Sequence, residues 1–281
     1  MPSTPPFTLS RRLLLGLGVS LLTMPAAAAT STPTVQRFAS FDGLQIAWRE
    51  IGQGRPTLCV HGFMGNAQGN WIDNGYAAAI AATGRRVIMP DLRGHGQSEA
   101  PEDAARYPKD ALPMDQEALL AHLAIEDYDL VGYSLGARTA VRMVDRGAKP
   151  GKLVLGGMGG SGITQVNIRQ AYFEDLIRNG PNAKDPRAGA FVQAFLERNG
   201  VKAAVALNVL GTQLSTSEEQ LALFATPTLV VSGVDDQDNG SVEGLAALIP
   251  GAKGVRTIGN HLSALQDASL RDAITGFLGQ A

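Results

Sequence analysis

Cysteine is nearly absent from this 281-residue chain: Cys59 stands alone, so no internal disulfide can form. It sits in the apolar run Pro56-Thr57-Leu58-Cys59-Val60, where a lone thiol reads as a buried structural residue rather than a reactive one. Basic charge is also in short supply. The formal charge is -2, and with the first 29 residues set aside, which hold Arg11 and Arg12 and no acid, 22 basic residues face 26 acidic ones, a net of -4. No domain is basic and no Lys/Arg run interleaves with aromatics, which excludes a nucleic-acid-binding role. Long hydrophobic runs are missing as well. The apolar run Leu13 to Met24 has 12 residues, against the roughly 20 that a membrane-crossing helix needs. There is no internal repeat and no low-complexity region outside the N-terminus.

What is there begins with Ser10-Arg11-Arg12, the apolar run and then Pro25-Ala26-Ala27-Ala28-Ala29. A charged region, a short hydrophobic region and a small-residue cleavage site make an export signal over residues 1–29. The paired arginines resemble a twin-arginine signal, although Leu14 stands where phenylalanine is common and no lysine follows Leu15. The expectation is a protein without a permanent membrane span, periplasmic or secreted, and a monomer or weak homodimer.

With 44% hydrophobic and 18% charged residues, the 281-residue chain has a globular composition, large enough for one sizeable core and an inserted subdomain. Asp42-Gly43 between Phe38–Phe41 and Leu44–Glu50 predicts a β-hairpin whose second strand is half-exposed at a sheet edge. Continuous apolar runs at 56–60, 86–89, 153–155 and 227–231 read as strands covered on both faces. Helical spacing between them, as at Tyr76, Ala77, Ile80 and Ala81 or at Leu119, Leu120 and Leu123, reads as crossover helices. Alternation of this kind predicts an α/β fold with a mostly parallel sheet and helices on both faces. The alternation stops between Gly156 and Ala225. There Tyr172, Phe173, Leu176 and Ile177, then Phe191, Phe195 and Leu196, recur at helical spacing, and Ser215 with Glu218 resembles a capping box. Residues 156–225 are therefore expected to be a helical insertion in a core of 30–155 and 226–281. A single helix is expected over Leu262 to Leu278.

The chemistry centres on Asp129-Leu130-Val131-Gly132-Tyr133-Ser134-Leu135-Gly136-Ala137-Arg138. A serine with glycine two residues away on each side suits a strained strand-turn-helix elbow, because only residues without bulk let strand and helix pass closely. Ser134 is the candidate nucleophile. A serine hydroxyl needs a base in hydrogen-bond reach and a carboxylate to orient that base. His261 follows a last strand predicted near Val255 to Ile258, so it is expected at the sheet edge where Ser134 emerges. Of the other histidines, His122 falls on a predicted helix surface, and His61 and His95 shape glycine-rich turns. For the acid, Gly156-Gly157-Met158-Gly159-Gly160 offers no carboxylate, whereas the next strand end offers Asp235, Asp236 and Asp238, among which spacing does not choose.

These motifs, in order, resemble the α/β-hydrolase fold family over nearly the whole mature length. They are His61-Gly62-Phe63, Asp91-Leu92-Arg93-Gly94-His95-Gly96-Gln97-Ser98, Gly132-Tyr133-Ser134-Leu135-Gly136, Gly233-Val234-Asp235-Asp236 and His261. The resemblance implies a serine hydrolase of esterase type with a catalytic triad of Ser134, Asp236 and His261. It also implies an oxyanion hole from the backbone N–H groups of Phe63 and Leu135, a cap over residues 156–225, and neither cofactor nor metal. Epoxide hydrolases and haloalkane dehalogenases are similar but carry aspartate at the elbow, and the His-Gly-Gly-Pro-Gly signature of proline iminopeptidases is absent. The expected activity is cleavage of a small to medium uncharged carboxylic ester or lactone through an acyl-enzyme. The alternatives are an acyltransferase or carbon-carbon bond hydrolase on the same triad, or a non-catalytic binding protein of this fold.

Overall fold

The computed structural model describes residues 33–280, so the export signal expected over residues 1–29 lies outside the described part. Eight strands form one sheet in the order β1-β2-β4-β3-β5-β6-β7-β8. The strands are β1 (Gln36–Ala39), β2 (Gln45–Ile51), β3 (Arg55–Val60), β4 (Arg85–Pro90), β5 (Asp129–Tyr133), β6 (Leu153–Gly156), β7 (Thr228–Gly233) and β8 (Lys253–Thr257). Only the pairings of β2 with β1 and β4 are antiparallel; from β4 to β8 the sheet is parallel.

The apolar runs become central strands because both of their faces are covered. Side chains alternate across a strand, so Leu58 and Val60 of β3 join one core cluster with Leu130, Leu155 and Val230, while Cys59 joins the other with Val131, Val154 and Val231. The first cluster is closed by α2 (Ala111–His122), α3 (Leu135–Asp145) and α9 (Val242–Leu248), and the second by α1 (Tyr76–Ala81) and α10 (Ala268–Gly279). Cys59 is fully buried, and that burial drives its thiol far above the usual range and keeps it protonated.

Three expectations give way here. The hairpin forms at Asp42-Gly43, with Ser40 and Leu44 joined across it, but β2 is not a half-exposed edge. It lies between β1 and β4, and Ala47 and Arg49, on the face opposite Ile46 and Trp48, are buried too. The capping box belongs to Ser217 and Gln220 at the head of α8 (Glu218–Leu221), while the Ser215 hydroxyl accepts from the Val166 N–H. Two overlapping Ser-x-x-Glu/Gln patterns compete in Ser215-Thr216-Ser217-Glu218-Glu219-Gln220, and only packing separates them. The last helix is broken. A short turn at Ser263–Gln266 ends in Asp267, whose extended backbone and side chain cap α10 through the Ser269 N–H.

Between β6 and β7 the chain forms α4 (Gly160–Thr164), α5 (Val166–Asn179), α6 (Pro186–Arg198), α7 (Ala203–Gly211) and α8, with no strand. Leu176, Ile177, Val192, Leu196 and Leu210 of these helices build a third apolar cluster. Met64, from the loop after β3, is buried in that cluster, so the insertion is pinned directly over the ends of the central strands. No helix of the described residues is long and apolar enough to cross a membrane.

Candidate active site

Strand β5 and helix α3 meet in one residue, Ser134, whose backbone takes φ 53° and ψ -113°. That conformation is costly for any residue with a side chain and persists only where its surroundings enforce it. The Ser134 N–H donates to Gly156 O at 2.8 Å, tying the turn to β6. The flanking glycines are demanded by backbone proximity. A Cβ on Gly136 would lie 1.9 Å from Val60 O, and one on Gly132 would lie 2.3 Å from Gly136 O. The two residues that permit the turn are thus the two that spacing alone had marked.

His261 reaches Ser134 from the loop after β8. Its Nε2 is 2.9 Å from Ser134 Oγ and its Nδ1 is 2.8 Å from Asp236 Oδ2. Because a carboxylate only accepts, Nδ1 carries the proton and Nε2 is left to accept from the serine hydroxyl. Asp236 lies on the loop after β7 and is buried. Burial alone would raise its pKa, but the hydrogen bond and charge of His261, the Ser232 hydroxyl at 2.7 Å and the Asp238 N–H at 3.1 Å outweigh it and hold the carboxyl below its ordinary range. Among the three aspartates the geometry is unambiguous. Asp235 is exposed, and the Asp238 side chain turns to Arg169 at 3.3 Å. An imidazole in this setting can take a proton from the hydroxyl while the carboxylate supports the charge it gains.

The N–H groups of Phe63 and Leu135 have no acceptor among the described residues, and both residues line the same pocket as Ser134 and His261. The loop carrying Phe63 is held by the two buried histidines. His61 Nε2 accepts from the Leu92 N–H at 2.9 Å, and His95 Nε2 accepts from the Met64 N–H at 3.0 Å. Met64 itself has φ 59°, so this bond fixes a left-handed residue beside Phe63. Burial drives the His95 pKa down to about 3, with the His61 ring 5.3 Å away adding to the effect. Asp91 anchors the neighbouring loops: Oδ1 accepts from the Ala67 N–H at 2.7 Å and Oδ2 from the Gln97 N–H at 2.9 Å. His122 is exposed and stacks on Phe38.

The pocket has a volume of about 520 Å³. Its walls are mainly apolar, with Phe173 and Leu176 from α5, and Phe191, Val192 and Phe195 from α6. Several polar lining residues escaped sequence reasoning, and four of them shape the site. Tyr133 donates its hydroxyl to His261 O at 2.6 Å and so steadies the histidine loop. Asn70 lines the pocket with its buried Nδ2 unpartnered among the described residues. Arg138 and Arg169 bring two guanidinium groups to the same wall system. Burial and the Arg169 charge push the Arg138 pKa down to about 9, still protonated at neutral pH. Arg138 was visible in the elbow motif, but nothing in its spacing told which way it faces; Asn70 left no signal. Asp236, Asp238 and His261 lie close enough to share a cation, although His261 and Asp236 already satisfy one another.

Comparison with known proteins agrees with this architecture. The family model described as alpha/beta hydrolase fold matches residues 56–154. The sequence is 36% identical over 105 residues to a non-heme chloroperoxidase of Kitasatospora aureofaciens, covering 37% of this chain and 36% of that one. It is 33% identical over 138 residues to 2-hydroxymuconate semialdehyde hydrolase of Pseudomonas sp. (strain CF600), covering 49% and 47%. The chain thus spans between a third and a half of the length of these curated relatives. An esterase from Exiguobacterium antarcticum superposes with a TM-score of 0.69 over 87% of this chain and 98% of that one, at 19% identity. The protein has the α/β-hydrolase fold. Enzymes of that fold, acting as esterases, haloperoxidases and hydrolases, are what it is similar to.

Proposed function

We propose that the protein is a serine hydrolase that cleaves a small to medium carboxylic ester or lactone through an acyl-enzyme. The observation that carries this reading is the unbroken chain Ser134 Oγ, His261 Nε2, His261 Nδ1, Asp236 Oδ2, with links of 2.9 and 2.8 Å, opening on a mainly apolar pocket. His261 takes the serine proton as Ser134 attacks the carbonyl carbon, and the negative charge that develops on oxygen meets the two unengaged N–H groups of Phe63 and Leu135. Each such donor contributes about 3 to 4 kcal/mol to the transition state. His261 then returns the proton to the leaving alcohol. Water, deprotonated by the same nitrogen, releases the acid. The pocket falls within the range of small-molecule sites, and the helical insertion serves as its cap. No step calls for a metal or cofactor.

A carbon-carbon bond hydrolase on the same residues is the second reading, favoured by the similarity to 2-hydroxymuconate semialdehyde hydrolase. The deciding experiment is hydrolysis of p-nitrophenyl esters from two to sixteen carbons, beside lactones and an acyl-acceptor assay, with Ser134→Ala as control. Turnover peaking at short to medium chains and abolished by Ser134→Ala is the expected result. Full activity of Ser134→Ala would end the serine assignment, and a rate rising steadily to sixteen carbons would end the small-to-medium substrate range. Product formed only with an added alcohol or thiol would place the protein among acyltransferases. Export to the periplasm or beyond, by the N-terminal signal, belongs to the same proposal.

A further inference from the structure

Four arginines are buried among the described residues: Arg49, Arg85, Arg93 and Arg138. Three are answered by carboxylates. Arg49 pairs with Asp91, Arg85 with Asp129, and Arg93 with Asp115 and Asp42. Arg138 has none. Its Nε donates to Gly162 O at 2.7 Å, Nη1 to Gln213 Oε1 at 2.9 Å and Nη2 to Asn239 Oδ1 at 3.0 Å, all neutral acceptors. These bonds fix the plane of the guanidinium and leave two of its five N–H groups without a partner. A buried cation without a counter-charge is costly, and proteins retain one where an anion completes it.

The site of that missing anion is narrowed by where Arg138 stands. It lies four residues beyond Ser134 on α3, on the wall of the pocket that holds Ser134 and His261. The charged residues lining this pocket are Arg138, Arg169 and Asp238, two cations against one anion. Asp238 is half exposed and meets Arg169 twice, its carboxylate at 3.3 Å from Nη2 and its backbone O accepting from Nη1 at 2.6 Å, and the Arg169 guanidinium lies 5.0 Å from the Phe173 ring centre. The α3 N-terminus, at Ser134, adds positive potential from its unpaired N–H groups.

We infer that Arg138 is the binding residue for a carboxylate carried by the substrate, with Arg169 adding to the attraction. The substrate is then a half-ester of a dicarboxylic acid or a lactone bearing a carboxylate, its apolar skeleton lying against the phenylalanines. The expectation of an uncharged substrate was formed from the sequence, where Arg138 carries no sign of being unpaired, and this inference replaces it. A guanidinium suits the task because its planar fork meets a carboxylate with two parallel bonds. The inference rests on the serine-hydrolase reading for its rate measurements only.

The test compares mono-p-nitrophenyl glutarate with its neutral counterpart, p-nitrophenyl pentanoate. The wild-type ratio of kcat/KM is expected to favour the anionic ester by about tenfold or more, tenfold being about 1.4 kcal/mol. Arg138→Gln keeps hydrogen-bonding capacity without charge and is expected to reverse that preference. Arg138→Lys is expected to restore part of it. In a separate arm, free glutarate is titrated into the Ser134→Ala protein and the melting temperature followed. A saturable rise that pentanoate does not reproduce, and that Arg138→Gln removes, supports the inference even if neither ester is cleaved. A wild-type ratio at or below one, or a ratio unchanged in Arg138→Gln, overturns it. So does the absence of any glutarate effect. Should Arg138→Gln not fold, the wild-type ratio and the glutarate titration still decide.

Discussion

His95 offers a way to read the candidate oxyanion loop through stability. Its ring is 1% exposed, accepts the Met64 N–H and donates Nδ1–H to Arg93 O at 3.1 Å, so only the neutral form fits. The folded-state pKa is driven down to about 3, whereas an unfolded chain holds histidine near 6.5. Between those values the unfolded chain binds the extra proton, so stability falls as pH drops. The loss is about 1.4 kcal/mol per pH unit, or about 2 kcal/mol between pH 7 and pH 5 once partial protonation at pH 7 is allowed for. His95→Ala removes both the titration and the acceptor. The stranded Met64 N–H and the lost imidazole packing are expected to cost about 2 to 4 kcal/mol at pH 7. At pH 5 that penalty is expected to shrink by about 2 kcal/mol, because only the wild type suffers the proton-linked loss. Urea unfolding at pH 7, 6 and 5 measures the difference directly. A penalty that stays constant across that range would show that folded His95 titrates normally, and the buried, neutral imidazole would be refuted.

Asp236→Asn is expected to lower ester turnover by about 10⁴-fold, because an amide stabilises the wrong tautomer of His261, while exposed Asp235→Asn changes it by less than about threefold; the reverse ordering would move the acid role. Gly136→Ala forces a methyl group against Val60 O and is expected to destabilise by about 3 kcal/mol or more. Gly276→Ala, in α10 with open space around it, is expected to stabilise by about 0.5 to 1 kcal/mol, so paired denaturation curves test the packing argument from both sides. Replacing Arg11 and Arg12 by lysine is expected to hold the precursor in the cytoplasm, as immunoblots of cell fractions would show; normal export would favour the general secretory route.

What the sequence determined by itself is what depends on neighbours along the chain. The runs around Leu58, Val131, Leu155 and Val230 are nearly continuous in apolar residues, as strands covered on both faces are, so they announced a parallel sheet. Gly132 and Gly136 sit at fixed distances from Ser134 because the steric limits of a sharp turn are local. What the tertiary structure decided depends on groups far apart in sequence. Asp235, Asp236 and Asp238 are equivalent by type, and only the return of His261, 25 residues later, selects Asp236. Ser215 and Ser217 carry the same capping pattern, and the Val166 N–H, 49 residues away, occupies one of them. Arg138 stood inside the motif read most closely, yet the absence of a carboxylate around it became visible only once Gly162, Gln213 and Asn239 had closed over it. A charge is balanced or unbalanced by what lies near it in space, and that is not written in the order of the residues.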